Sequence, residues 1–294
     1  MKLGFVGLGK MGLPMALRLE EAGHSVRAMV RTRRPEMDRL RGTIVQAPGD
    51  VAEATDLIVL MLPGPAEISL VLRGENGLFR HLRDGATVLD CSTSLPTLTR
   101  DLQREATSRG LHYVDAPVIG GPTVAAEGGL QFLVGATDED FATVRPILEL
   151  LGKEIIHMGG PGAGHAAKIV NNMVALTNMA VLGEGMALAA SLGLDADKMT
   201  QMLSKGFGSS YVAQRHMPKI IRGDFTPTFT LAMGLKDLSL ASDVARESGY
   251  PLFLAGTAME LFQVGRAMDF AGQNYTAVSR VFERFGKSLR SQKA

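Results

Sequence analysis

Short runs rich in β-branched and apolar residues recur through the first half of this chain, at 3–7, 25–30, 56–62, 86–90, 113–118 and 131–134. Stretches compatible with helix separate several of them, at 11–22, 66–72, 96–108 and 139–150. Parallel strands need a long crossover, usually a helix, so this alternation predicts an α/β fold with a largely parallel, doubly wound sheet. The alternation stops at the cluster Gly159, Gly160, Pro161, Gly162. Helical periodicity takes over at 163–192, 196–205, 229–247, 252–268 and 275–288. The Gly/Pro cluster is therefore the expected boundary between a sheet domain over 1–162 and an all-helical domain over 163–294.

A length of 294 residues suits two domains, since one domain is typically ~100–200 residues. Lys and Arg total 31 against 30 Asp and Glu, a formal net charge of +1. That balance exerts no global pull on nucleic acid or an acidic membrane. Cys91 is the only cysteine, which excludes an intramolecular disulfide and fits a reducing compartment. The opening residues lack the pattern of a signal peptide. The uncharged run 169–183 contains Asn171, Asn172, Thr177 and Asn178, and falls short of the ~18 apolar residues of a membrane span. The expectation is a cytoplasmic protein with no nucleic-acid or membrane partner. The six histidines lack the short paired spacings of a zinc site, so no catalytic metal is expected.

Gly7, Gly9 and Gly12 have GxGxxG spacing, with Leu8, Lys10 and Met11 between them. The motif follows an apolar strand and opens a helix, the context in which it binds a dinucleotide. The first glycine allows the tight turn, the second a close approach to pyrophosphate, and the third helix–strand packing. A glycine-rich turn without a ligand is the competing reading. Enzymes that use NAD place an acid at the end of the next strand, ~20 residues on, to bind the ribose. Here that region reads Met29-Val30-Arg31-Thr32-Arg33-Arg34, and no acid precedes Glu36. Arginines pair with a 2′-phosphate, and Thr32 adds a hydroxyl, so NADP(H) is the expected cofactor, held by Arg31 and Thr32. A solvated basic loop, with Arg33 and Arg34 pointing outward, is the plain alternative.

Between His165 and Asp195 the only charged residues are Lys168 and Glu184. On a helix over 164–192, His165, Lys168, Asn171 and Asn172 form a polar stripe on an apolar rod. A desolvated lysine exchanges its proton near neutral pH, which suits carbonyl reduction: the ammonium stabilises the developing oxyanion and protonates it. A lysine snorkelling to water explains the helix alone equally well.

Five ordered motifs then resemble the β-hydroxyacid dehydrogenase family, which includes 3-hydroxyisobutyrate dehydrogenases and tartronate, glyoxylate and succinic semialdehyde reductases. They are the opening stretch 4–16, Met61-Leu62-Pro63 with Ser92-Thr93, the stretch 115–121 (DAPVIGG), the stretch 164–172 (GHAAKIVNN), and Lys236-Asp237-Leu238 with Phe229. The resemblance implies a Rossmann-type domain, a long interdomain helix and an all-helical second domain. It also implies Lys168 as catalytic acid/base with Asn172 as partner. Met61, Leu62, Pro63 and Thr93 would lie against the cofactor, Gly120 and Gly121 would offer N–H groups to a substrate carboxylate, and Lys236 would close the site. The family's NADPH-using members carry an Arg-Thr pair where Arg31 and Thr32 stand. The resemblance further implies association through the helical domain as a dimer or tetramer.

Ile119 departs from the family, which has Ser before the two glycines. Loss of one hydrogen bond to a charged group is worth ~1.5–3 kcal/mol, so less polar carbonyl compounds become plausible substrates. The leading expectation is an NADPH-preferring reductase of a small aldehyde or keto acid. Imine reduction and a cofactor-binding scaffold without turnover are the alternatives; Lys168 argues against both. Cys91 is expected to be a buried structural thiol. His165 is expected to border the ligand or simply to polarise the helix, His216 and Tyr211 to line the pocket, and Glu184 to hydrogen-bond within the helical core.

Overall fold

The computed structural model describes residues 1–53 and 55–286. The chain forms two compact units, Met1–Lys168 and Ile169–Ala294. The first unit contains β1 (Lys2–Val6), α1 (Gly12–Glu21), β2 (Ser25–Met29), β3 (Thr43–Val45), α2 (Pro48–Ala52), β4 (Leu57–Leu60) and α3 (Pro65–Arg73). It continues with β5 (Thr87–Asp90), α4 (Pro96–Ser108), β6 (His112–Asp115), β7 (Val118–Ile119), α5 (Pro122–Ala126), β8 (Leu130–Gly135), α6 (Asp138–Leu151) and β9 (Gly152–Gly159). The start of α7 (Ala163–Ser191) completes it.

The sheet order is β3-β2-β1-β4-β5-β6-β8-β7, with β9 on β8. β1 to β6 run parallel, in the doubly wound order 3-2-1-4-5-6. β8 is antiparallel to β6 and β7, and β9 is parallel to β8. Both sheet faces are covered, as parallel strands require. Along β4, Leu57 and Val59 join one core with α1, α5 and α6, while Ile58 and Leu60 join the opposite one with α2, α3 and α4. This is the two-residue side-chain period of a strand buried on both sides.

The expected strands and the longer helices of this half are present. The sequence pattern does not reveal β3, β9, α2 and α5. β3 has three residues and β9 is an edge strand beginning Gly-Lys-Glu, so neither shows an apolar run. Val118 and Ile119 form β7, separated from β6 by Ala116-Pro117, because proline cannot donate to a ladder.

The second unit contains the rest of α7, then α8 (Ala196–Lys205), α9 (Tyr211–Ile220), α10 (Leu231–Ser248), α11 (Leu254–Ala267) and a 3₁₀ segment, Tyr275–Arg284. The periodicity does not reveal α9, which carries Pro218 in its last turn and a Ser210 cap at its start. The expected helix over 275–288 is a 3₁₀ run, and its Lys287 and Ser288 lie outside the described residues. The two units part inside α7 rather than at 162/163, because the first turn of that helix is bonded to the sheet. By length and composition alone, α7 is long and apolar enough to cross a membrane, a test that the core helix of a globular unit also passes. Its Leu176, Met179, Leu182 and Met186 are core residues of the second unit.

Phe262 is fully buried in that core, and its ring fills the space a Cβ on Gly234 would need, 2.8 Å away. Phe262→Ala should cost about 3–5 kcal/mol of stability, read from a denaturant titration that follows the helical signal.

Candidate active site

The loop after β1 is shaped by what it cannot hold. Gly7 has φ +103°, and a Cβ there would lie 2.2 Å from the Met61 carbonyl oxygen. A Cβ on Gly12 would lie 1.9 Å from the Gly7 carbonyl oxygen. Gly9 is different: no heavy atom would come within 4 Å of its Cβ. Two glycines are thus required by the protein itself, while the middle one leaves open ground beside the start of α1. No side chain caps that helix. Leu13 N–H is taken by the Gly9 carbonyl oxygen and Pro14 has no N–H, so it is the open ground over Gly9 at the positive end of the helix that fits a dinucleotide's diphosphate. Leu8 is buried, Met11 half-buried and Lys10 exposed.

The basic residues after β2 do three different things. Arg33 pairs with Asp38 at 2.8 Å. Arg34 turns back to donate to the Leu8 carbonyl oxygen at 2.7 Å, bracing the glycine loop rather than pointing outward. Arg31 and Thr32 are exposed, and no hydrogen bond or ion pair engages either among the described residues. The loop after β4 approaches from the neighbouring strand. Met61 N–H donates to Val6, and Leu62 N–H donates to the Ser92 hydroxyl at 2.9 Å. Pro63 is exposed and Thr93 half-buried.

Ile119 pairs with Gln131 across β7 and β8 and is half-buried. Gly120 has φ +138° and is exposed, and Gly121 has open space where a Cβ would stand. Lys168 is half-buried on α7. His165 is fully buried, hydrogen-bonded to Thr99 of α4. That bond and its burial account for its place on the polar stripe. Cys91 is buried, and burial beside Asp90 pushes its thiol pKa well up, so it is an inert structural residue.

In the second unit, Asn172 Nδ2 donates to Asp237 Oδ2 at 2.7 Å. Its Oδ1 accepts from Asn171. Asp237 Oδ1 lies 2.9 Å from the Lys236 ammonium. Asp237 is buried while the Lys236 side chain is one-third exposed. One carboxylate thus gathers both residues. His216 packs edge-on against Tyr275, and burial with Lys219 and Arg215 nearby lowers its pKa to about 4. Tyr211 is exposed, and so is Glu184, which overturns its expected place in the core. Sequence reasoning assigns no role to Asp115 and Asp237, although both stand inside the quoted motifs. Their signal is an acid within an otherwise apolar or glycine-rich stretch.

Residues 2–160 match the family model for the NAD-binding domain of 6-phosphogluconate dehydrogenase. Residues 162–282 match the model for the NAD-binding region of NADP-dependent 3-hydroxyisobutyrate dehydrogenase. The chain belongs to the β-hydroxyacid dehydrogenase family. It is 36% identical to 2-(hydroxymethyl)glutarate dehydrogenase of Eubacterium barkeri, over 96% of this chain and 95% of that one. It is also 36% identical to 2-hydroxy-3-oxopropionate reductase of Escherichia coli, over 96% and 97%. The structure of Mycobacterium tuberculosis 3-hydroxyisobutyrate dehydrogenase with L-serine superposes with a TM-score of 0.86 at 31% identity, over 95% of this chain and 98% of that one. A Bacillus cereus imine reductase superposes at 0.60 with 22% identity, over 96% and 99%, and shares the fold alone. As a member of the family, the chain is an oxidoreductase with a nicotinamide-dinucleotide-binding fold.

The glycine loop separates two failures. Gly9→Val should leave the folded protein's circular dichroism and melting unchanged yet abolish binding of the reduced nicotinamide dinucleotide, followed by its fluorescence. Gly12→Val should fail earlier, by unfolding or insolubility, because its side chain meets backbone.

Proposed function

We propose that the protein is an NADPH-preferring reductase that interconverts a small aldehyde or keto acid with its hydroxy acid. The single observation that carries the reading is the first unit's combination of an open glycine cradle with an exposed, unengaged Arg31 and Thr32. The glycine loop Gly7, Gly9 and Gly12, at the start of α1, would hold the diphosphate. Arg31 and Thr32 would hold the 2′-phosphate, where Arg33 and Arg34 are already committed elsewhere. Met61, Leu62, Pro63 and Thr93 would flank the nicotinamide half. When bound, the reduced cofactor supplies a hydride.

Lys168 would stabilise the oxygen as charge develops on it and donate its proton from Nζ; in oxidation the amine takes the proton back. Asn172 would orient the reacting oxygen with the amide hydrogen that Asp237 does not use. Gly120 and Gly121 would receive an anionic substrate end through backbone N–H groups, and Lys236 would add a positive charge. Ile119 offers hydrocarbon where the family has a hydroxyl, which keeps less polar carbonyls and cyclic imines as a second reading. Association into a homo-oligomer through the helical unit is part of the proposal, and exposed Phe253 and Leu254 support it.

Cofactor choice is tested by charge. Arg31→Asp should reduce the NADPH-over-NADH preference about tenfold to a hundredfold, the worth of a charge-assisted hydrogen bond of ~1.5–3 kcal/mol. An unchanged ratio of kcat/KM for the two cofactors removes Arg31 from the site. Chemistry is tested by NADPH oxidation against glyoxylate, short semialdehydes, apolar aldehydes and cyclic imines. Lys168→Ala should lower kcat by about 10²–10⁴, the range for a positioned general acid. Turnover of imines alone would favour the second reading.

A further inference from the structure

The first turn of α7 is tied to the sheet by buried polar groups that the proposed reaction does not use. Asp115, the last residue of β6, is fully buried. Its Oδ1 accepts the Gly162 N–H at 2.7 Å and its Oδ2 the His165 N–H at 2.8 Å. It caps the helix from another element, where converging N–H groups favour a negative charge. Burial raises its pKa, against the pull of His165 and those two N–H groups.

The His165 ring is buried beside it. Nδ1 lies 2.7 Å from Thr99 Oγ1, and the Thr99 hydroxyl donates to the Leu95 carbonyl oxygen at 3.0 Å. With its only hydrogen engaged there, Thr99 accepts from the ring, which places the hydrogen on Nδ1. Nε2 has no hydrogen-bond partner among the described residues. It lies 3.9 Å from Asp90 Oδ2, an oxygen that accepts from the Tyr113 hydroxyl. The surroundings leave no slack. A Cβ on Gly135 would lie 2.5 Å from Asp115 Oδ1, and one on Gly164 would lie 2.3 Å from the Leu133 carbonyl oxygen.

An exposed Ser or Asp caps a helix without burying a charge. A buried carboxylate and imidazole are costly unless their bonds are made. What the buried set adds is a fixed depth and rotation of the helix start. Lys168 follows His165 by three residues and is the last residue of the first unit. We propose that Asp115, His165 and Thr99 are positioning residues that aim Lys168, holding it to the body that carries the glycine cradle. The inference rests on Lys168 being the proton donor.

The test follows NADPH oxidation with the compound reduced fastest in the panel above, in wild type, Lys168→Ala, Thr99→Val, Thr99→Ser, His165→Leu and His165→Asn. A misplacement of about 1 Å at a reacting group costs ~10²-fold. Thr99→Val, close in volume, should lower kcat tenfold or more with NADPH affinity within twofold of wild type. Thr99→Ser, which keeps the acceptor, should recover most of it. His165→Leu should behave like Thr99→Val, and His165→Asn, whose amide replaces the Nδ1 donor, should recover in part. Wild-type kcat in folded Thr99→Val and His165→Leu, with Lys168→Ala inactive, overturns the positioning role alone. A kcat loss matched by lost NADPH affinity, or not recovered by Thr99→Ser, is general damage and also overturns it. Full activity in Lys168→Ala, or no turnover of any compound by wild type, overturns the reading of Lys168 and this inference with it.

Discussion

The reversal of strand order between β1 and β4 is the constraint on which the first unit depends. The chain builds outward from β1 through β2 to β3, then returns to lay β4 on the other side of β1. At such a switch point the loops leaving the two strands have no helix between them, and a crevice opens at their carboxyl ends. Here the meeting is close enough that the Gly7 position admits no side chain against Met61. The crevice, the glycine cradle and the approach of the Leu62 loop, itself bonded to Ser92 after β5, all follow from that one reversal. Antiparallel β8 and parallel β9 then bring the chain back beside the end of β6, since Gly135 pairs with both Asp115 and Gly159. α7 therefore begins at the carboxyl edge of the sheet, the edge that carries the cradle.

The two units solve a shared electrostatic problem with different partners. Each buries a carboxylate, which water would otherwise solvate, so each must supply replacements. Asp115 is met by backbone N–H groups at a helix start. Asp237 is met by an amide and an ammonium, Asn172 and Lys236. In both cases the acid is the hub and the residues named from sequence are its spokes. In the proposed reaction, Asn172 and Lys236 would be oriented by a carboxylate that touches no substrate.

Much of this is legible in the sequence because the signals are local. Strand alternation, the glycine spacing and the apolar stretches of α7 and α10 each depend on neighbours in sequence. α9 is hidden by Pro218, which reads as a breaker although a helix tolerates it near its end. β9 is hidden by the polar start that suits a sheet edge. The direction of Arg34, and the roles of Asp115 and Asp237, depend on partners tens of residues away. Glu184 is misplaced for a related reason: helix spacing tells which residues share a face, not which face meets solvent. His165 shows the same limit, since its stripe with Lys168 is polar as the spacing says, while its partner on α4 leaves no trace in that spacing.

The bonds to Asp115 also bear on how the chain can be divided. The glycine-rich stretch at 159–162 looks like a seam, and the matched family regions meet close to it. Yet a cut there would strip the carboxylate of the His165 N–H and leave a charge stranded in an apolar interior. The compact unit is the sheet plus the opening turn of the helix that follows. Exchange of segments between relatives at the apparent seam would succeed only where the incoming helix also carries a small residue at 164 and an N–H in reach of Asp115. The dinucleotide-binding half is thus not a free-standing module in the genetic sense: it borrows its last structural residues from the neighbour to which it is fused.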